Sequence, residues 1–572
     1  MVGDLGMILM LASFTGYVPI KRTLAVFFPT TTLSADRNGM DFLQISYLPA
    51  FPMFVATDHG ALHCGDTPTP RGELSGFLIA TNMSMMTTAQ SYIAADLDAF
   101  AEATWFTSAY MIAMSSVTPL SGRLSGIFTP RLYVLFSGFL LAAGLFVTAA
   151  APTLAVFLLG RVITGVASGG LMSAAIILVL DLASPKRRGL FIGLINAGYT
   201  TGVASGAVLA GLLTPRVGWR FLFWIQAPAA LVLGPLLFLA LPTSSNDRGA
   251  SPGSSWLAGL ARVDYAGSLT LTLSVVLMLS SLASPQIPLW PIPLSIAIFG
   301  FFLIIESKWT SEPVIPVRLL RNRSVLMTCV AALGMMMARW AILFFTPVYA
   351  IAVRGWSPAS AGLLLVPTNA GFGTGGLLVG WLHIRKANSY YISCLIIFFL
   401  FATATAALAF LSTPTSSAVL YMLVTFLDGL FAGSLMNYTL SHVLHLTNPE
   451  SHYIVTSLVA MSRGFAGSFG SAIGGGFFAR VLKSSLETGF SRHGLSPRPE
   501  LVRTLLGSPA TVLTLSGLER LVAIQSYEYA TRMLFLAGSA LALAAMAFQA
   551  GTGWRPGVDD KRQDTLVSDE ES

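Results

Sequence analysis

Charge is scarce in this chain. Asp, Glu, Lys and Arg make up 10% of its 572 residues, against about a quarter in an average soluble domain. A soluble globule of this length would lack the polar surface to cover itself. Cysteine is scarcer still: Cys64, Cys329 and Cys394, two of them inside apolar runs, supply no disulfide framework. The motifs G-x-x-x-x-G-K-[ST], H-E-x-x-H and C-x-x-C are all missing. Their absence excludes a P-loop nucleotide cradle, a zincin centre and a dithiol pair. No enzyme activity and no cofactor is expected. His59, His63 and Cys64 lie close together, and no metal is expected there either.

What the chain does have is apolar length. Hydrophobic residues make up 54% of it, and the mean hydropathy is +0.71. Both point to an all-α polytopic membrane protein, because open sheet edges go unsatisfied in lipid. The net charge of +7 reads as basic cytoplasmic loops rather than a nucleic-acid partner.

From Leu74 onward fourteen segments read as spans: 74–93, 105–122, 131–151, 154–181, 190–213, 219–241, 265–285, 289–306, 326–350, 358–381, 390–411, 417–440, 453–480 and 531–550. The first two are rich in Thr, Ser, Asn and Met; the others are plainly apolar. With both ends cytoplasmic, the inner loops collect thirteen cations, among them Arg123, Arg131, Lys186, Arg187 and Arg188. The short outer loops hold only Arg216, Arg220 and Arg354, which fixes the expected orientation. Residues 1–73 read as an irregular leader, or as sequence ahead of a later start. A signal peptide is a poor reading, since no cation precedes the first apolar stretch. The expected organisation is a six-helix bundle over 74–241, a Ser/Gly-rich cytoplasmic linker over 242–263 and an inserted helix pair over 264–306. A second six-helix bundle follows over 307–550 with an outer loop at 482–530, then a disordered acidic tail at 551–572.

Several motifs then stand in a telling order. Gly160-Arg161-Val162-Ile163-Thr164-Gly165 resembles the R-x-x-x-G signature of the major facilitator superfamily. Gly122-Arg123-Leu124-Ser125 with Arg131 resembles its cytoplasmic loop motif, and Gly198, Gly202 and Gly206 its antiporter motif in span 5. Arg262-Val263-Asp264-Tyr265-Ala266-Gly267 looks like the entry to the extra span pair of the fourteen-span drug:proton antiporter-2 family. Gly218-Trp219-Arg220 and Ile225-Gln226-Ala227-Pro228 are similar to the fungal branch that includes vacuolar basic amino acid transporters. The chain departs from the pattern at Gly126, where the loop motif has Asp, at Thr129-Pro130, which replace Gly-Arg, and at Val203, where span 5 has Pro. It also departs at Asn82, where span 1 has Asp, and an amide does not carry a proton as a carboxylate does. The resemblance implies the major facilitator fold: two six-helix bundles and two inserted central helices, rocking about a central cavity.

Charges inside spans cost about 2.5–3.5 kcal/mol on insertion scales, so they face the bundle or a wet cavity. Arg161, Arg339, Asp428 and Arg463, with the amides Asn196 and Gln226, are therefore the candidate substrate and proton pathway. Asp428 and Arg463 are expected to relieve each other's burial, and Asp428 is the remaining carboxylate for a proton relay. Arg339 is placed to meet an anionic substrate group, and Met335 to Met337 to line the cavity. Gly198, Gly202 and Gly206 allow close helix approach. In the family this stripe is part of the sliding contact between halves. The expected function is proton-coupled efflux of small organic compounds, such as drugs or secondary metabolites. The alternatives are vacuolar import of basic amino acids and a non-transporting relative. The expected setting is a monomer in the plasma membrane or, alternatively, the vacuolar membrane, with the proton gradient as driving force.

Overall fold

The computed structural model describes residues 71–182, 188–240, 264–284, 287–309, 320–380, 390–448, 451–494 and 498–554. The chain separates at Pro70 and Arg71 into two units, and the described residues lie in the second. The leader, most of the linker and the tail fall outside them, as do the side chains of Gly122, Arg123 and Asn196.

Among the described residues there are helices and no strands. The first half comprises α1 (Arg71–Ser84), α2 (Met86–Asp96), α3 (Trp105–Phe128), α4 (Pro130–Ala149), α5 (Leu154–Leu182), α6 (Arg188–Val217) and α7 (Trp219–Ala240). The inserted pair is α8 (Tyr265–Ala283) and α9 (Pro291–Ile304), the latter ending in a π turn, Ile305–Trp309. The second half comprises α10 (Arg323–Ala352), α11 (Pro358–Gly362), α12 (Leu365–Leu378), α13 (Tyr391–Leu411), α14 (Ala418–Leu446) and α15 (His452–Arg492). It closes with α16 (Pro499–Gly507), a 3₁₀ turn (Pro509–Thr514) and α17 (Gly517–Ala550).

Helix occupies each predicted span, but the helices differ in kind. Among the described residues nine are long and apolar enough to cross a membrane: α4, α5, α7, α8, α9 with its π turn, α10, α13, α14 and α17. Over the described residues, the pair α1–α2, α3, α6, α12 and α15 are not among these nine. Helices α3, α6, α12 and α15 have a position in common. These Gly-, Ser- and Thr-rich helices meet the other half rather than lipid: α3 packs on α15, and α6 packs on α11 and α12. Small residues permit such close packing, at the expense of hydropathy.

The two halves repeat one pairing scheme. In the first, α3 and α4 pack on α5, α4 on α7 and α1 on α6; in the second, α12 and α13 pack on α14, α13 on α17 and α10 on α15. The inserted α8 lies against α15, α3 and α9. We call the end opposite the cation-rich loops outer. At that end the halves meet closely. A Cβ built at Gly211 would sit 2.6 Å from Ala359 Cα, and one at Gly362 would sit 2.9 Å from the Ala207 carbonyl carbon. Nearer the middle, Ser115 Oγ donates to Gly464 O at 3.2 Å.

The expected outer loop 482–530 is shorter than its sequence suggests, because helix invades it from both sides. Helix α15 runs for 41 residues, roughly 60 Å at the rise of an α-helix. Leu482, Leu486 and Phe490 bury one face of its extension, while Lys483 and Glu487 form an i,i+4 pair at 3.9 Å on another. The α3–α4 turn carries a second surprise. Thr129 adopts φ +67°, ψ +139°, a conformation that a β-branched residue rarely takes, at a position where the resembling motif has Gly.

Candidate functional site

The first cluster is centred on Arg161, which is fully buried. Its Nη1 donates to Asn82 Oδ1 at 2.6 Å and its Nε to Phe106 O at 2.9 Å. Its guanidinium carbon lies 4.5 Å above the Tyr110 ring. Gly165, one turn further along α5, makes this possible: a Cβ there would sit 2.9 Å from Ala113 Cβ, so only glycine lets α3 come so near. Asn82 Nδ2 in turn donates to Gln226 Oε1 at 3.3 Å, and Gln226 Nε2 donates to Leu222 O at 3.0 Å. Arg161, Asn82 and Gln226 thus form one buried chain across α5, α1 and α7. Both of the Arg161 acceptors, Phe106 O and Asn82 Oδ1, are neutral, and its Nη2 has no partner among the described residues.

The second cluster has the same plan in the other half. Arg339 donates to Thr368 Oγ1 at 3.4 Å and to Asn369 Oδ1 at 3.1 Å. It stands 4.2 Å above the Phe372 ring. Each half therefore holds a guanidinium against an aromatic ring and an amide oxygen, a geometry that delocalised, weakly hydrated Arg suits. The carboxylate is on α14: Asp428, fully buried, accepts from Thr405 Oγ1 at 2.9 Å. Its other oxygen has no hydrogen-bond partner among the described residues. Arg339 is within electrostatic range of both Asp428 and Tyr199, but makes no ion pair within 4.0 Å to either.

The expected Asp428–Arg463 pair does not form. Arg463 Nη2 donates to Met436 O at 2.6 Å and to Thr439 Oγ1 at 3.1 Å. Those acceptors lie two turns or more along α14 from Asp428, about 12 Å at 1.5 Å per residue. Helix phase, invisible in the spacing of two residues on different spans, decides this. Arg339 is also more enclosed than expected, with 4% exposure. Met335 and Met336 pack inside the second half rather than lining a cavity; only Met337 is partly exposed.

The packing motifs resolve as follows. Gly202 and Gly206 lie against Ala80 and Thr81 of α1, so their contact is within the first half rather than between halves. Between the halves Gly211 and Gly362 take that place. Arg131 donates to Phe238 O at 2.6 Å, tying α4 to the inner end of α7. Gly218, at φ +80°, turns the chain into α7. Trp219 Nε1 and Arg220 Nη1 then both reach Asp96 Oδ2, at 3.3 and 2.6 Å, and clasp the outer end of α2.

Sequence reasoning missed the seam between the halves. Ala80, Met83, Tyr110, Met111, Val203 and Ala207 of the first half join Leu343 and Leu365 of the second in one apolar cluster, with Met114, Tyr199 and Trp340 at its edge. The Met-rich composition of spans 1 and 2 was the available signal. Above the seam a cavity of about 50 Å³ remains, bordered by Thr87, Gln90, Phe344, Phe478, Leu506 and Tyr527. It has room for a few waters at most. Helix α16 lies over this region: Arg503 Nη2 donates to Asp98 O at 3.1 Å and lies 3.5 Å from Asp98 Oδ1.

Comparison with known proteins agrees with this arrangement. The family model described as Major Facilitator Superfamily matches residues 73–471. The chain is 26% identical over 427 residues to the MFS-type efflux pump LUC4 of a Fusarium species, covering 72% of this chain and 74% of that protein. It is 25% identical over 471 residues to the aspyridones efflux protein of Neocamarosporium betae, covering 80% and 79%. A bacterial homologue of the human lysosomal transporter Spinster, inward-facing and occupied, aligns with a TM-score of 0.55 at 15% identity, over 85% of this chain and 98% of that one. That last likeness concerns the fold alone.

Proposed function

The chain belongs to the Major Facilitator Superfamily, and from that premise we propose that it exports small organic compounds across the plasma membrane, as a monomer of fourteen spans. The two halves rock about the seam, alternately exposing it to each side. Relatives named as efflux pumps support the direction. We propose further that an inward proton gradient drives the cycle and that Asp428 is the group that carries the proton.

One observation supports that last step above others. Asp428 is fully buried, accepts from Thr405 on one carboxylate oxygen and has no partner for the other among the described residues. A carboxyl that gains and loses a proton needs a free oxygen, and Arg339 nearby feels the change in charge. The vacuolar alternative fits less well. A cationic amino acid needs carboxylates, and the central clusters set three arginines against one aspartate. The test is substrate uptake into acid-loaded proteoliposomes by the wild type and by Asp428→Asn. Loss of the pH dependence, with correct folding, is the expected result. Full pH-dependent transport by the variant would end the proton role of Asp428.

A further inference from the structure

The seam cluster has a polarity along the membrane normal. Helix α3 runs from outer to inner end, while α6 and α10 run the other way. On each, the partly exposed member of the cluster lies about one turn inward of a buried one. Met114 follows Met111 on α3, Tyr199 precedes Val203 on α6, and Trp340 precedes Leu343 on α10. Met111, Val203 and Leu343 are buried to within 4% exposure, and beyond them the halves meet closely at Gly211 and Gly362. Met114, Tyr199 and Trp340 are therefore the inner surface of the plug, one from each of three helices and from both halves.

We infer that Met114, Tyr199 and Trp340 are the residues that contact substrate, and that the substrate is an uncharged organic compound presenting an aromatic or conjugated apolar face. This rests on the export reading given above. The three side chains offer a polarisable thioether, a phenol and an indole, surfaces that stack on flat apolar molecules and adapt to varied ones. The indole stacks on Phe344 at 5.5 Å and 21°, so its plane is held from one side. Among the described residues the Tyr199 hydroxyl donates only to Met83 Sδ, a long contact at 3.5 Å that a better acceptor would displace.

The charges stand one layer back. Arg161 lies behind the Tyr110 ring with Nε and Nη1 given to Phe106 and Asn82. Arg339 is given to Thr368 and Asn369. A charged substrate at the plug would leave water without an ion of opposite sign in contact, which is costly. An uncharged one loses little. Separating the substrate surface from Asp428 also lets one proton carrier serve different compounds.

The test uses the full chain in proteoliposomes with three probes: Nile red (uncharged), rhodamine 6G (cationic) and fluorescein (anionic). The wild type is expected to move Nile red alone. Trp340→Ala and Tyr199→Ala are expected to slow it by about tenfold or more, and Trp340→Phe to restore most of the rate. Size-exclusion profiles and thermal midpoints check the folding of each variant. Transport of Nile red unchanged in both alanine variants would overturn the site while leaving export intact. Transport of a charged probe in preference to Nile red would overturn the substrate class. Movement of no probe by the wild type would overturn the export reading, and this inference with it.

Discussion

Arg161 Nη1 lies 2.6 Å from Asn82 Oδ1, so the buried cation of the first half is held by an amide. The contact is short, and it is charge-assisted on one side only. Removing the acceptor strands a guanidinium away from water. Asn82→Leu is expected to lower stability by about 1.5–3 kcal/mol, the range for a hydrogen bond to a charged group. Asn82→Asp keeps the acceptor and adds an opposite charge, so its thermal midpoint in detergent is expected to match or exceed the wild type. Because the proton role is proposed for Asp428, Asn82→Asp should leave the pH profile of transport in place. A shifted profile would move the coupling site into the first half.

Thr129 offers a simpler experiment. Its φ of +67° and ψ of +139° belong to a region that costs side-chain-bearing residues about 1–3 kcal/mol. Its Oγ1 gives back a cap, accepting from Leu132 N at a long 3.5 Å. The balance favours glycine, which takes that conformation without strain. Thr129→Gly is expected to raise stability by about 1 kcal/mol, read as an increase in the thermal midpoint. A fall would mean that the cap outweighs the strain.

What could be read without a structure follows the same physics. The hydrocarbon layer demands long apolar segments, so the order of helices was legible from Leu74 onward. Burying charge in lipid is costly, so Arg161, Arg339, Asp428 and Arg463 stood out as soon as the spans were drawn. Their partners were not legible. Which residues meet depends on helix phase and on the pairing of helices far apart in sequence, as with Arg161 and Asn82, or Arg463 and Thr439. The seam was hidden for another reason: Met, Tyr, Trp and Ala at an interface between halves look like ordinary core.

The outer strap can be tested separately. Arg503 and Asp98 are 40% and 78% exposed, and exposed pairs contribute about 0.2–1 kcal/mol. Arg503→Ala is therefore expected to change thermal stability very little. The contact still spans the halves, so opening outward must break it. With Cys64 replaced by Ser, the pair Asp98→Cys and Arg503→Cys, bridged by a short bifunctional methanethiosulfonate, is expected to stop transport until dithiothreitol is added. Continued transport in the bridged protein would show that α16 does not need to part from the α2–α3 loop.

Glycine positions in the second half make the sharpest contrast. A Cβ at Gly429 would meet the Thr368 carbonyl, with the Thr368 carbon at 2.8 Å and Phe372 N at 3.1 Å. These are backbone atoms of α12 and cannot swing aside. A Cβ at Gly474 would find only side-chain carbons, Ala341 Cβ at 3.7 Å and Leu534 Cδ1 at 3.8 Å, which is ordinary contact. Gly429→Ala must therefore push α14 from α12. Overpacking of this kind costs about 1–3 kcal/mol or more, and here it also displaces Thr368 and Asn369, which hold Arg339. Gly474→Ala loses no packing and gains helix propensity, worth up to about 1 kcal/mol. The expected result is a lower thermal midpoint and reduced transport for Gly429→Ala, against unchanged or higher stability for Gly474→Ala. Equal behaviour of the two would mean that α12 and α14 have slack between them, and that Arg339 is not positioned by their close approach.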